Sequence, residues 1–285
     1  MEERYKFSVL MSVYKNDKPE FFKQALESVS VEQTLKPDQI VIVYDGPVLE
    51  EIDGIIDDCK KKTAEIEYTV IKKMQNEGLA AALNTGLSAC KFDWVARMDS
   101  DDISTNDRFE KQFNYLKNNQ GISVLGGFVS EFDENPGELI STREVGITHE
   151  AICKMAKTRT PMNHMSVIYL KNDILNLGGY SENFGKLEDY KLWVDAISAG
   201  YKLANISDVI VYARVGNGFI ERRSSRREIH DWDMLQKYLK KAGLIGRFKA
   251  FKNKIYIRIF IYTPKWIKRF LYKKVLRKKT KEFKS

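Results

Sequence analysis

The chain has 285 residues, 43% of them hydrophobic and 30% charged, with a net charge of +8 at pH 7. That length can bury a substantial core as one large domain or two small ones, and the apolar content excludes a chain that is disordered as a whole. A polytopic membrane protein is excluded too, because the apolar run around Ile255 to Thr263 is interrupted by Arg258 and falls short of the ~20 residues a span needs.

Phe7 to Tyr14 reads as a buried strand, and Pro19 to Ser30 carries Phe22, Ala25, Leu26 and Val29 at helical spacing. Gln39 to Tyr44 is a second apolar strand, closed by the turn Asp45-Gly46-Pro47. Leu49 to Lys61 is predicted helical, Glu67 to Lys72 a strand, Gly78 to Ala89 a small-residue helix, and Trp94 to Met98 a strand ending at Asp99. This strand–helix alternation predicts a parallel sheet covered by helices, with ligands beyond the carboxyl ends of the strands. Asp45 and Asp99 both fall at that edge. After Asp107 the pattern changes. Helices are predicted over Arg108 to Asn118, His149 to Thr158 and Leu192 to Ala199, with strands over Ser123 to Glu131 and Met165 to Leu170.

Two acidic sites stand out. Asp99-Ser-Asp-Asp102 follows a strand directly, and hard divalent cations need oxygen ligands of this kind; a solvated turn or a helix cap is the alternative. Glu188-Asp189 opens a helix, either as a cap or as a general base facing a cleft. Asp45 is a turn former or a contact for a nucleotide. Asn76 to Gly86 permits close approach of backbone to a ligand, or simply tight helix packing. His164 is a packed core residue or a ligand. Arg214, Arg222 and Arg223 flank a glycine-containing stretch, where arginines suit a diphosphate or a solvated face. There is no Walker loop, no dinucleotide fingerprint and no nucleophile elbow. Cys59, Cys90 and Cys153 are odd in number and widely spaced, and no signal peptide is read at the N-terminus, so a reduced cytoplasmic setting is expected.

The order of these pieces resembles the family-2 inverting glycosyltransferases of the GT-A fold, over roughly residues 5–235. The resemblance rests on Ser8 to Tyr14, Ile42 to Gly46, Asn76-Glu-Gly78 through Asn84-Thr-Gly86, Asp99 to Asp102 with Asp107-Arg108-Phe109, and Leu187 to Trp193. Tyr44-Asp-Gly-Pro47 and the stretch from Arg214 to Arg223 are similar to the branch that builds O-antigen and exopolysaccharide repeat units on a lipid diphosphate. Tyr44 departs from the family, where many members carry an acidic residue.

The resemblance implies an α/β GT-A domain over 1–239. Its mostly parallel, Rossmann-like sheet would have a nucleotide-sugar half at about 1–107 and an acceptor half at about 108–239. It implies that Asp45, Asn76, Gly78, Asn84, Asp99, Arg214, Arg222 and Arg223 bind the nucleotide sugar, and that Asp101 and Asp99 hold Mn²⁺ or Mg²⁺. Asp189, with Glu188, would deprotonate the acceptor, and His164 and Trp193 are candidates on the acceptor side. The implied reaction moves a hexose from a UDP-sugar to an undecaprenyl-diphosphate type acceptor. The rival readings are a nucleotidyltransferase of similar sheet and a non-catalytic membrane- or polyanion-binding protein.

Residues 240–285 hold 17 Lys/Arg against the single acidic Glu282, while the other 239 residues hold 30 basic and 38 acidic ones. Phe248, Phe251, Ile255, Ile259 and Tyr262 recur at helical spacing among the cations. A basic amphipathic helical tail is expected there, attaching the enzyme peripherally to an anionic inner membrane face and dispensable for the chemistry. The alternative is a helix pair packed on the body. No nucleic-acid partner is expected, since no recognisable module accompanies the charge.

Overall fold

The computed structural model describes residues 5–215, 226–264 and 267. Its first half is the expected alternation: β1 (Phe7–Val13), α1 (Pro19–Val29), β2 (Gln39–Tyr44), α2 (Glu51–Lys62), β3 (Glu67–Lys72), α3 (Leu79–Ala89) and β4 (Trp94–Met98). β1 pairs in parallel with β2 on one side and β4 on the other, and β2 with β3. All six residues of β2 are buried, as a strand covered on both faces requires. The chain therefore leaves β1 in two directions. A crevice opens at that switch point, beyond the carboxyl ends of the strands.

The second half comprises β5 (Ile103–Ser104), α4 (Arg108–Asn118), β6 (Ile122–Phe132), β7 (Leu139–Arg143), α5 (His149–Met155), β8 (Ile168–Leu170), α6 (Lys171–Asn176), α7 (Glu188–Ser198), β9 (Lys202–Arg214), α8 (Arg226–Lys241) and α9 (Arg247–Tyr262). The strand order is β3-β2-β1-β4-β8-β6-β9-β5, with β7 on β6. Beyond β4 the sheet is mixed: β8 runs antiparallel to both β4 and β6, and β9 parallel to β6. The strand predicted over Met165 to Leu170 is instead a 3-10 turn at His164–Ser166 followed by the short β8. The Ser166 hydroxyl donates to the Asn163 carbonyl (2.8 Å) and the Gln112 amide donates to the Ser166 carbonyl (2.9 Å), which hold that turn.

Two apolar layers sandwich the sheet. One packs Phe22, Leu26, Ile52, Phe109 and Phe113 from α1, α2 and α4; the other packs Leu83, Leu87, Leu192 and Trp193 from α3 and α7. Arg108 is fully buried in α4, and its guanidinium donates to the carbonyls of Arg97 (2.9 Å) and Val167 (3.3 Å). A charged side chain thus ties β4 to the segment entering β8. A third cluster seats α8 and α9 on α7 through Tyr190, Val194, Leu235, Leu239 and Ala250. α8 runs across residue 240, so the change in composition there is not a structural boundary.

Candidate active site

Three strands deliver carboxylates to the crevice. After β1, the Asp17 carboxylate accepts from the Tyr14 N–H (3.0 Å) and the Ser100 hydroxyl (2.7 Å). After β2, the Asp45 carboxylate accepts from the backbone N–H groups of Glu77 (2.8 Å) and Gly78 (2.9 Å), while the Asn76 amide donates to the Asp45 carbonyl (3.2 Å). This strap forces glycine at position 46: φ is +87°, and a Cβ there would lie 2.8 Å from the Asn76 nitrogen. Gly78, with φ +96°, turns the chain into α3. After β4 comes the acidic cluster. One carboxylate oxygen from each of Asp99, Asp101 and Asp102 lies within 4.8 Å of the others. Asp17, Asp45, Asn76, Gly78, Asp99, Asp101 and Asp102 all line a cleft of about 910 Å³.

The cluster is held from both sides. Arg97 pairs with Asp99. Arg214 donates from its backbone N–H to Asp102 (2.8 Å) and from Nε to the Asp101 carbonyl (3.2 Å). Its guanidinium sits 3.8 Å from the Phe21 ring centroid and 4.6 Å from that of Phe132. Arg214 thus braces the turn of the acidic cluster while lining the cleft. Burial, reinforced by the Asp99 and Asp17 charges, pushes Asp101 up to about 7. Burial raises Asp17 to about 6, and burial with the charges of Asp101 and Asp99 holds Asp102 well above the usual carboxylate range. Clustered carboxylates that resist ionisation together are short of positive charge. A hard divalent cation, with its preference for oxygen donors, fits this set.

Glu188 and Asp189 open α7 apart from that cluster and do not line the cleft, although Lys186 just before them does. Glu188 is buried, and its Oε2 has no hydrogen-bond partner among the described residues. Burial and the adjacent Asp189 push it up to about 8. Asp189 accepts from the Thr160 hydroxyl (3.4 Å) and the Tyr190 N–H (2.6 Å).

Other expected residues sit elsewhere. Trp193 is fully buried core, its ring 6.1 Å from that of His164. His164 shares a 3.0 Å hydrogen bond with the Tyr180 hydroxyl, and burial together with Arg97 holds it well below its usual range, hence neutral. Asn84 does not line the cleft. Its amide accepts from the Tyr180 N–H (2.7 Å) and donates to the Tyr180 carbonyl (2.8 Å), tying α3 to the Gly178-Gly179 turn. Arg222 and Arg223 lie outside the described residues. Asp17, Ser100 and Arg97 were not singled out by the sequence. The one available signal for Asp17 was its position just past the first strand, at the ligand edge.

Residues 8–175 match the model of Glycosyl transferase family 2. The chain is 35% identical over 274 residues to the UDP-Gal:alpha-D-GlcNAc-diphosphoundecaprenol beta-1,3-galactosyltransferase of Escherichia coli, covering 96% of this chain and 97% of that one. It is 34% identical over 271 residues to the amylovoran biosynthesis glycosyltransferase AmsE of Erwinia amylovora, covering 94% and 98%. Among solved structures, S. aureus TarS 1-349 in complex with UDP-GlcNAc matches with a TM-score of 0.67 at 16% identity, over 90% of this chain and 73% of that one. The mannosyltransferase PcManGT from Pyrobaculum calidifontis, in complex with GDP-Man and Mn2+, matches with a TM-score of 0.62 at 16% identity, over 94% and 73%. At that identity the likeness is one of fold.

Proposed function

The chain belongs to glycosyl transferase family 2, with a GT-A type fold, and we propose that it moves a hexose from a UDP-sugar to a saccharide carried on a lipid diphosphate, in the assembly of a surface polysaccharide. The observation that carries this reading is the pairing of an acidic cluster at the crevice with a second, separate carboxylate pair at the start of α7. Inverting transfer needs both, because the base must take the proton of an acceptor hydroxyl that attacks from the face opposite the leaving group.

Asp99 and Asp101 would hold Mn²⁺ or Mg²⁺, which when bound neutralises charge on the departing diphosphate. The remaining tasks fall to the chain itself. Asp45 and Asn76 shape the seat for uracil and ribose, because the carboxylate fixes the backbone of residues 77–78 while facing the cleft. Gly78 lets that backbone approach the nucleotide. Arg214 keeps the acidic turn in place. Asp189, with Glu188 beside it, accepts the proton of the attacking hydroxyl, while burial and the adjacent Asp189 push Glu188 up to about 8. Residues from 1 to about 107 supply most of the nucleotide side, and the segment from about 108 to 239 the acceptor side. The enzyme works at the inner face of the cell membrane, a placement supported by the aromatic, exposed face of α9. No helix among the described residues is long and apolar enough to cross a membrane.

A panel of UDP-sugars, read as UDP release with a synthetic lipid-diphosphate acceptor and Mn²⁺ or Mg²⁺, tests this. One UDP-hexose should give release that needs both acceptor and cation. Release of nucleotide monophosphate or pyrophosphate in place of UDP would overturn the transferase reading.

A further inference from the structure

The acidic turn after β4 is held residue by residue. Asp99 pairs with Arg97. The Asp101 carbonyl accepts from Arg214 Nε (3.2 Å) and the Asp102 carboxylate from the Arg214 N–H (2.8 Å), at the end of β9. Ser100, which stands between the two proposed cation ligands, is held from the end of β1. It is buried, and its hydroxyl donates to the Asp17 carboxylate (2.7 Å) across 83 positions of sequence.

Asp17 is itself fixed. The chain turns after β1 with the Asp17 N–H donating to the Tyr14 carbonyl (3.0 Å) and the Asp17 carboxylate accepting from the Tyr14 N–H (3.0 Å). An aspartate that closes its own turn in this way has little freedom to swing. The bonds from Tyr14 and Ser100 fall on one oxygen, Oδ2. β1 in turn is paired with β4 in parallel, Met11 against Met98. The turn that leaves β4 is therefore tied back, through Ser100, to the strand beside it.

This tie differs in kind from those made by Arg97 and Arg214. The arginines bring positive charge to carboxylates that a cation also needs, whereas the serine hydroxyl is neutral and fixes the peptide without adding charge. Asp17, Ser100, Asp99 and Asp101 all line the cleft. A small octahedral cation tolerates little error in where its oxygens stand.

We propose that Asp17 is a positioning residue for the cation: through the Ser100 hydroxyl it fixes the peptide between Asp99 and Asp101, and with it the separation at which their carboxylates meet Mn²⁺ or Mg²⁺. Asp17 acts through its hydrogen bonds and is not a ligand. The inference rests on Asp99 and Asp101 holding that cation.

The test is a Mn²⁺ titration followed by electron paramagnetic resonance, on the full chain with UDP present and no acceptor. Ser100→Ala and Asp17→Ala each break the tie and should weaken Mn²⁺ binding by about tenfold, the scale of losing a partner that orients a metal ligand. Asp17→Asn keeps an oxygen for both donors, so it should stay within about threefold of the wild type. The double variant should bind Mn²⁺ no more than about twofold more weakly than the weaker single one, because the two residues act as one link. UDP affinity measured by calorimetry without metal should be unchanged throughout. Asp17→Asn as weak as Asp17→Ala would make the carboxylate charge itself the contribution and overturn the proposal. So would a Ser100→Ala that binds Mn²⁺ like the wild type, losses that multiply in the double variant, or metal-free UDP affinity that falls together with Mn²⁺ affinity. Should Asp17→Ala not fold, Ser100→Ala and Asp17→Asn decide between the same outcomes. Wild-type protein that binds no Mn²⁺ beside UDP would instead count against the cation reading, and that outcome is read without any variant.

Discussion

Asp101 combines burial, two acidic neighbours and a place on the cleft wall, so under the proposed function it would depend most on a bound cation. Asp101→Ala should abolish transfer and Mn²⁺-dependent UDP binding while the melting temperature of the free protein holds or rises, since an uncompensated charge is removed. Full turnover of the wild type in excess EDTA would refute it. The pH dependence follows from the same groups. With Asp17 raised to about 6 and Asp101 to about 7, the folded protein binds more protons than the unfolded chain between about pH 4 and 7. Their contribution to stability is therefore present at low pH and lost as pH rises through that window. Protons and the cation compete for these oxygens. The rise in melting temperature on adding UDP and Mn²⁺ should accordingly be larger at pH 8 than at pH 5.5, and an equal rise would place the cation elsewhere. Asp189 stands off the cleft wall at the head of α7, and the proposed function assigns it to the acceptor. Asp189→Asn should stop transfer yet leave UDP affinity within about threefold; calorimetry showing the two lost together would make it a donor-side residue.

At the scale of elements, legibility follows how local each signal is. β2, β3, β4 and α4 begin and end where apolar periodicity and turn residues place them, because both signals lie within the element. β9 was not legible: Asn205, Ser207 and Asp208 interrupt its apolar run, and it gains strand character by pairing with the bulged β6 and with β5. The site divides the same way. Asp99 to Asp102 could be read as oxygen ligands because strand end and carboxylates are contiguous. Asp17 meets Ser100 across 83 positions and Asn84 meets Tyr180 across 96, and no local pattern announces either contact. Asn84, a nucleotide-sugar contact on the resemblance, bonds to Tyr180 and lies against Gly179, neighbours far away in sequence that the fold brings to it. The Asp45–Asn76 strap makes a prediction at this scale. Gly46→Ala incurs both a positive φ and a clash with backbone and should cost about 2–3 kcal/mol. Gly78→Ala has the φ of +96° but open space around its Cβ, so it should cost less. Thermal melts of the two variants decide this; equal losses would mean that contact with Asn76 contributes nothing.

Taken whole, the molecule is an acidic body with a basic end, and α9 is where the two meet. Its inner face packs on α8, with Ala250 and Asn253 buried, the Asn253 amide donating to Gln236 (2.8 Å) and Arg258 paired with Asp233 (2.6 Å). Its outer face leaves Phe248, Phe251, Ile255, Ile259 and Tyr262 exposed, Phe248 at 79%. Within the tail, α9 is packed on one side and bare on the other, while the part of the expected tail beyond residue 264, apart from residue 267, lies outside the described residues. Cutting the chain near Gly243 would uncover Leu235 and Leu239, so truncation is a poor test of dispensability. Substituting the outer face is a better one, since it leaves the packed side intact. The bare stripe is flanked by Lys249 and Lys252, and each cation near an anionic leaflet adds about 1 kcal/mol. Burying a phenylalanine adds about 1.5–3 kcal/mol more. The wild type should therefore pellet with phosphatidylglycerol vesicles at low salt and be only partly released at ~1 M salt, where the Debye length shrinks to about 3 Å. Phe248→Ser with Phe251→Ser should stay in the supernatant, melt within about 2 °C of the wild type, and turn over a short, water-soluble acceptor at an unchanged rate. A wild type that ignores these vesicles at low salt would show that the stripe serves a protein partner and not a lipid surface.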